Sequence, residues 1–147
     1  MSYQHILVAV DESPISFAAA AQARQLAPLT QSKVTLLSVV AVDPFIGVDF
    51  YKVAPAITEY FMQAEKNALA RLEELALGFQ HDGIDVSTKI VHGVAAADGI
   101  LQTAEQLAVD LIMMGSHGRS AVEKLVLGSV AQKVLAQAKV TVLIAKQ

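Results

Sequence analysis

Cysteine is absent from the 147 residues. No disulfide scaffold, thiolate metal site, thiol nucleophile or iron–sulfur cluster can therefore be built from this chain. Long apolar runs are missing too. Ile6 to Val10 spans five residues before Asp11 and Glu12 stop it, and Val34 to Val42, interrupted by Thr35 and Ser38, is strand-sized. A signal peptide needs a longer apolar segment behind a positive end, and a membrane-crossing helix needs about 20 apolar residues. The expectation is a soluble, cytoplasmic chain with no membrane insertion. Basic blocks are also lacking: 11 Lys and Arg stand against 14 Asp and Glu, for a net charge of −3. Proteins that neutralise runs of phosphates normally carry a positive surface, so nucleic acid is not an expected partner. No internal repeat or low-complexity segment is present. What is abundant is apolar: 54% of residues are hydrophobic against 17% charged, which excludes intrinsic disorder. The length suits one domain with a core of its own.

His5–Val10 (HILVAV) is β-branched and apolar without alternation, as expected of a strand covered on both faces. Asp11-Glu12-Ser13-Pro14 breaks it, with Ser13 placed as N-cap and Pro14 as first helical residue. The Ala-rich segment Ile15–Ala27 suits a helix ending near Pro28. Lys33–Val42 is a second buried strand. The segment 43–55, DPFIGVDFYKVAP, is irregular and long enough to suggest function or mobility. Its Phe45, Phe50 and Tyr51 suit a lid or an oligomer contact. From Ala56 a helix follows, with Ile57, Phe61, Ala64, Ala68, Leu72 and Leu75 at helical steps, and Gly78 to Gly83 is expected to end it. Ile84–Val91 alternates and suits an edge strand. Val94–Ala108 is a third helix, Leu111–Met114 a fourth strand, Val130–Ala138 a fourth helix and Val140–Ala145 a final strand. This alternation predicts an α/β fold: an open, mostly parallel, five-stranded, Rossmann-like sheet with helices on both faces.

Open parallel sheets bind ligands beyond the carboxyl ends of their strands. That points to Asp11, to Val39–Asp43, to Val91–Gly93, to the Gly115–Gly118 turn and to the start of the last helix. The densest signal is Met114-Gly115-Ser116-His117-Gly118-Arg119-Ser120, followed by Leu127-Gly128-Ser129. Glycines after a strand permit positive φ and close approach of a ligand. A helix opening at Gly128-Ser129 would present free N–H groups and its positive dipole end to an anion. An ordinary glycine turn with a serine N-cap accounts for the same residues equally well. Two other phosphate devices are excluded. The chain has neither a G-x-x-x-x-G-K-[ST] loop nor a G-x-G-x-x-G after its first strand.

The spacing Gly115-x-x-Gly118, nine residues, then Gly128-Ser129 resembles the ATP-binding signature of the universal stress protein family. ILVAVDES resembles that family's first strand, LLSVV its second and IVHG its third, so the likeness runs over essentially the whole chain. It implies that Gly115, Gly118, Gly128, Ser129 and Val130 hold phosphates and ribose, and that Asp11 and Val39 contact the nucleoside. A carboxylate repels a triphosphate but accepts hydrogen bonds from a sugar or an adenine amino group, which places Asp11 at that end. Asp11 also reads as a cap for its own turn. By position Gly93, Met114, His117 and Arg119 join the candidate nucleotide-binding set. The implied cofactor is ATP, or ADP or AMP, with any Mg²⁺ arriving on the triphosphate and keeping several waters.

Ala9 and Thr141 stand where the family often has proline. The resemblance also implies a homodimer through Val140–Ala145, with the 43–55 loop as the contact for any extension to a tetramer. His117 invites a catalytic role, but a residue so placed more often offers only its backbone N–H. Arg119 suits a γ-phosphate or open solvent alike. The other histidines show no metal-ligand spacing. The motif region contains no acid to orient water, and no P-loop lysine. The expected role is therefore a nucleotide-binding stress-response sensor or regulator, with little or no hydrolysis and a possible regulatory protein partner. The alternatives are a slow ATPase or self-phosphorylating enzyme with Ser116, Ser120 or Ser129 as acceptor, and an ATP-stabilised adaptor or chaperone-like protein.

Overall fold

The computed structural model describes residues 3–40, 54–117 and 127–146. Five strands and four helices alternate: β1 His5–Ala9, α1 Pro14–Thr30, β2 Lys33–Val40, α2 Ala54–His81, β3 Val86–His92, α3 Ala96–Gln106, β4 Leu111–Gly115, α4 Ser129–Gln137 and β5 Thr141–Ala145. All neighbouring strands pair in parallel, in the order β3-β2-β1-β4-β5. The α/β reading therefore holds, and β3 and β5 take the two edges.

Strand side chains alternate between two cores. Ile6, Val8, Leu36 and Met113 meet Ala19, Ala20 and Ala23 of α1 and Leu72, Ala76 and Phe79 of α2. Leu7, Leu37, Ile112 and Met114 meet Ala97, Ile100 and Ala104 of α3 and Ala131 and Val134 of α4. Burial on both faces is why these strands read as unbroken apolar runs.

Two helices run past the residues expected to stop them. α1 runs through Pro28 to Thr30 and stops at Gln31, which takes a left-handed φ of 54° while its N–H bonds the Ala27 carbonyl. Pro28 lies on the exposed side, where water can take the carbonyl that its missing N–H leaves free. α2 likewise continues through Gly78 to His81. A Cβ on Gly78 would stand 2.7 Å from Nη1 of Arg24, whose Nη2 pairs with Asp82 Oδ2 at 2.7 Å. Gly78 therefore makes room for an arginine rather than ending a helix. The stop is Gly83, with φ +74°, after which the Ile84 N–H bonds the Phe79 carbonyl at 3.0 Å. Extending the helix brings in Phe79, a fully buried side chain that the shorter reading omits.

At the amino end of the sheet, Asp110 ties β1 to β4. Its carboxylate accepts the Gln4 N–H at 2.8 Å and the His5 N–H at 3.0 Å. Partial burial works to raise its pKa, but these bonds prevail and hold it below the usual carboxylate value. His5 is buried, with Nε2 2.7 Å from Thr35 Oγ1. Burial lowers its pKa and Lys33 adds to that, against the opposing pull of the Leu107 backbone, Asp110 and Asp85. The folded protein thus prefers neutral His5, and the unfolded chain takes up that proton first. His5 is expected to withdraw stability as pH falls below about 6.5. Urea midpoints from pH 8 to 5, compared with His5→Asn, should show a steeper fall in the wild type; parallel profiles would refute this.

Candidate functional site

The chain leaves β1 in one direction, through α1, to β2, and returns from β3 through α3 to β4 on the other side of β1. The carboxyl ends of β1 and β4 therefore diverge into helices on opposite faces, leaving a crevice between them. An open cleft of about 540 Å³, counted out to solvent, lies there. β1 and its turn contribute Ala9, Val10, Asp11, Ser13 and Ser16; β2 contributes Leu37 and Val39; β4 and its turn contribute Met114, Gly115 and His117. Ala96 and Ile100 of α3 and Val130 and Ala131 of α4 complete the wall.

Six candidates from the sequence thus share one cleft: Asp11, Val39, Met114, Gly115, His117 and Val130. Gly128 and Ser129 stand beside it at the start of α4, where the Gly128 N–H bonds the Ser116 carbonyl at 2.7 Å. Gly93 occupies an exposed turn after β3 and is not one of the lining residues. Gly118 and Arg119 lie outside the described residues, as do Ser120 and the 43–53 part of the irregular segment with Phe45, Phe50 and Tyr51.

Gly128 opens α4 as the sequence predicts, but neither it nor Gly115 takes the positive φ that a glycine after a strand permits. Gly128 has φ −63°, and the described glycines with positive φ are Gly83 and Gly93. Gly115 and Gly128 are needed for space. A Cβ on Gly115 would meet Ile15 Cγ2 of α1 at 2.7 Å. A Cβ on Gly128 would stand 2.9 Å from the Cα of His117 and 3.3 Å from the Ser116 carbonyl oxygen. The turn after β4 and the opening of α4 are therefore in backbone contact.

That contact leaves the start of α4 open. Its N-cap is Gly128, which has no side chain, and no acidic residue lies in the first turn. The first N–H groups of a helix have no intrahelical acceptor, and the dipole adds partial positive charge. Ser129 is exposed and makes no cap of its own. Ser116 is buried; its N–H bonds the Ala145 carbonyl at 2.9 Å, and its hydroxyl lies 3.0 Å from His117 Nδ1. Across the cleft, the Asp11 carboxylate accepts the Ser13 N–H at 2.8 Å. Val39 and Ile100 add apolar side chains to the lining. One end suits an anion, the other a group that donates hydrogen bonds.

Two further features escaped the sequence reading. Ser13 and Ser16 turn toward Asp11, a role the S-x-x-S spacing after an aspartate could have suggested. Gly99 lies inside α3, where a Cβ would meet Val39 Cγ2 at 2.8 Å. A glycine within a helix was the available signal for such close packing. Among the described residues no group of His, Asp and Glu is arranged to hold a metal ion, and no helix is long and apolar enough to cross a membrane.

The universal stress protein family model matches residues 2–146. A universal stress protein of Methanocaldococcus jannaschii is 32% identical over 145 residues, covering 99% of this chain and 83% of that protein. The fold superposes on the universal stress protein UspA from Lactobacillus plantarum with a TM-score of 0.89, at 24% identity over 99% of both chains. A universal stress protein in complex with cAMP matches with a TM-score of 0.66, covering 99% of this chain and 98% of that one, at 24% identity. One from Archaeoglobus fulgidus in complex with dAMP matches at 0.65 and 19% identity, covering 99% and 100%. The glycine-spaced turn, the 3-2-1-4-5 sheet and a match along nearly the full length agree: this chain belongs to the universal stress protein family.

Proposed function

We propose that this protein is a cytoplasmic, single-domain binder of adenine nucleotide, ATP foremost, acting as a stress-response sensor or regulator with little or no hydrolysis. The observation that carries the reading is the uncapped start of α4, held in backbone contact with the turn after β4 at the mouth of the cleft. Phosphates would lie against the N–H groups there, with Gly115, His117, Ser129 and Val130 around them and Gly118 and Arg119 in the adjoining segment. Adenine and ribose would lie toward Val39 and Asp11, with Met114 beneath and Gly93 at the outer margin. Two fold relatives were captured with cAMP and dAMP, which supports an adenine nucleotide here. A bound Mg²⁺ would come with the triphosphate. Signalling would pass to a regulatory protein partner through a homodimer joined at β5, with 43–55 as the contact if it assembles further.

Calorimetry on the purified protein is expected to show ATP binding, with no phosphate release above that of a Gly118→Ala control. Asp11→Ala should weaken ATP and AMP by similar factors, about tenfold, because the lost bond is not to the γ-phosphate. A loss confined to ATP would move Asp11 to the phosphate or metal end.

One observation favours a second reading, slow self-phosphorylation. The Ser116 hydroxyl lies 3.0 Å from His117 Nδ1, so the imidazole can accept its proton as Oγ attacks a γ-phosphate and ADP leaves. A mass increase of one phosphate on incubation with ATP, lost in Ser116→Ala, would select it.

A further inference from the structure

We propose that Ser13 and Ser16 are positioning residues that hold Asp11 in the conformation in which it meets the nucleoside. The inference rests on the nucleotide reading and concerns residues that carry no part of it above. Ser13 sits at the N-cap of α1, yet its hydroxyl makes no cap bond to the helix. It donates instead to Oδ1 of Asp11, the same oxygen that accepts the Ser13 N–H at 2.8 Å. Two donors on one oxygen fix the carboxylate's rotation, and both are charge-assisted. No described donor reaches the other oxygen, Oδ2, which leaves it to accept from a ligand.

Ser16 fixes the backbone behind that side chain. Its hydroxyl lies 2.8 Å from the Asp11 carbonyl oxygen and 2.9 Å from that of Ser13, and 3.2 Å from the Asp11 N–H. It therefore bonds across the whole Asp11–Ser13 turn. Both serines are buried, Ser13 at 5% exposure and Ser16 at 4%, and both line the cleft. A buried hydroxyl is kept only where its bonds are made. Here those bonds converge on one partly buried carboxylate and its peptide groups. A carboxylate free to rotate would have to be ordered as the ligand binds; here that ordering is complete beforehand.

The test is a double-mutant cycle read by ATP calorimetry on the full chain, with unfolding curves confirming that each variant folds. Ser13→Ala is expected to weaken ATP about tenfold, as for one lost bond to a charged acceptor. In an Asp11→Ala background the same change should alter affinity by less than about twofold. Ser13→Thr should restore most of the affinity, and Ser16→Ala should follow the pattern of Ser13→Ala. In the ligand-free protein, three-bond couplings of the Asp11 side chain should report a single χ1 rotamer that Ser13→Ala averages. Equal losses in both backgrounds would mean that the serines act through the turn's folding, and would overturn the proposal. So would unchanged affinity in Ser13→Ala. Absence of ATP binding by the wild type would instead overturn the nucleotide reading, and this inference with it.

Discussion

Gly128→Val is expected to lower ATP affinity by about a hundredfold or more while the protein remains folded. The backbone at 128 has φ −63°, which valine adopts without strain, so the loss would not come from backbone conformation. It would come from contact. The new Cβ would stand 2.9 Å from His117 Cα and 3.3 Å from the Ser116 carbonyl oxygen, and neither is the end of a flexible side chain. The turn and the start of α4 must part, and the 2.7 Å bond from the Gly128 N–H to Ser116 lengthens with them. Two charge-assisted bonds to a phosphate are worth about 1.5–3 kcal/mol each, and their loss sets the factor. The main sheet and both cores lie behind this contact, so circular dichroism and the unfolding midpoint should change little. ATP affinity within about threefold of wild type, in a folded variant, would refute the assignment of this turn to phosphate.

Val142→Pro is expected to convert a dimer to monomer or aggregate. The Ala145 carbonyl accepts the Ser116 N–H, so residue 145 directs its backbone groups toward β4. Backbone direction alternates along a strand, which sends the N–H and C=O groups of Val142 and Ile144 outward. Among the described residues β5 pairs with β4 alone, and its outer side is a sheet edge with apolar residues on both faces. Such an edge invites pairing, and a two-fold axis lets two copies satisfy each other without leaving a free end. Proline at 142 removes an outward donor and leaves the bonds to β4 in place. The same alternation turns the Thr141 N–H toward β4, so the donor restored there serves the sheet rather than the edge. Sedimentation at micromolar concentration should show a dimer for the wild type. A monomeric wild type would refute the pairing.

Much of this molecule was legible in its sequence. The unbroken apolar runs at His5–Val10 and Leu111–Met114 mark strands buried on both faces, because a strand exposed on one side would alternate. The alternating Ile84–Val91 marks the β3 edge for the converse reason. With strands and helices interleaved, the handedness of crossovers leaves few topologies, and the cleft falls at strand ends that can be named in advance. The resemblance to the universal stress protein family lay in the spacing of three glycines in register with three strands, and the family match over residues 2–146 bears it out.

Tertiary structure decided what those residues do. Gly78 resembles a helix stop because local propensity disfavours glycine in helices. Only Arg24, which reaches it from α1, explains it. Phe79 enters the core by the same extension. Gly115 was legible as the glycine of a turn, which suggests positive φ, and Gly128 as the opening of a helix, which it is. Their requirement instead is steric, set by Ile15 and His117, neighbours that no local window reveals. Gly93 carries the positive φ, yet the fold leaves it away from the cleft lining. Ser13 reads as a cap from its place before Pro14; that its hydroxyl turns back to Asp11 depends on the path the chain takes out of β1. Periodicity records which face of an element is buried, since that is a property of each segment. Which atoms meet across two segments is a property of the pair, and only packing settles it.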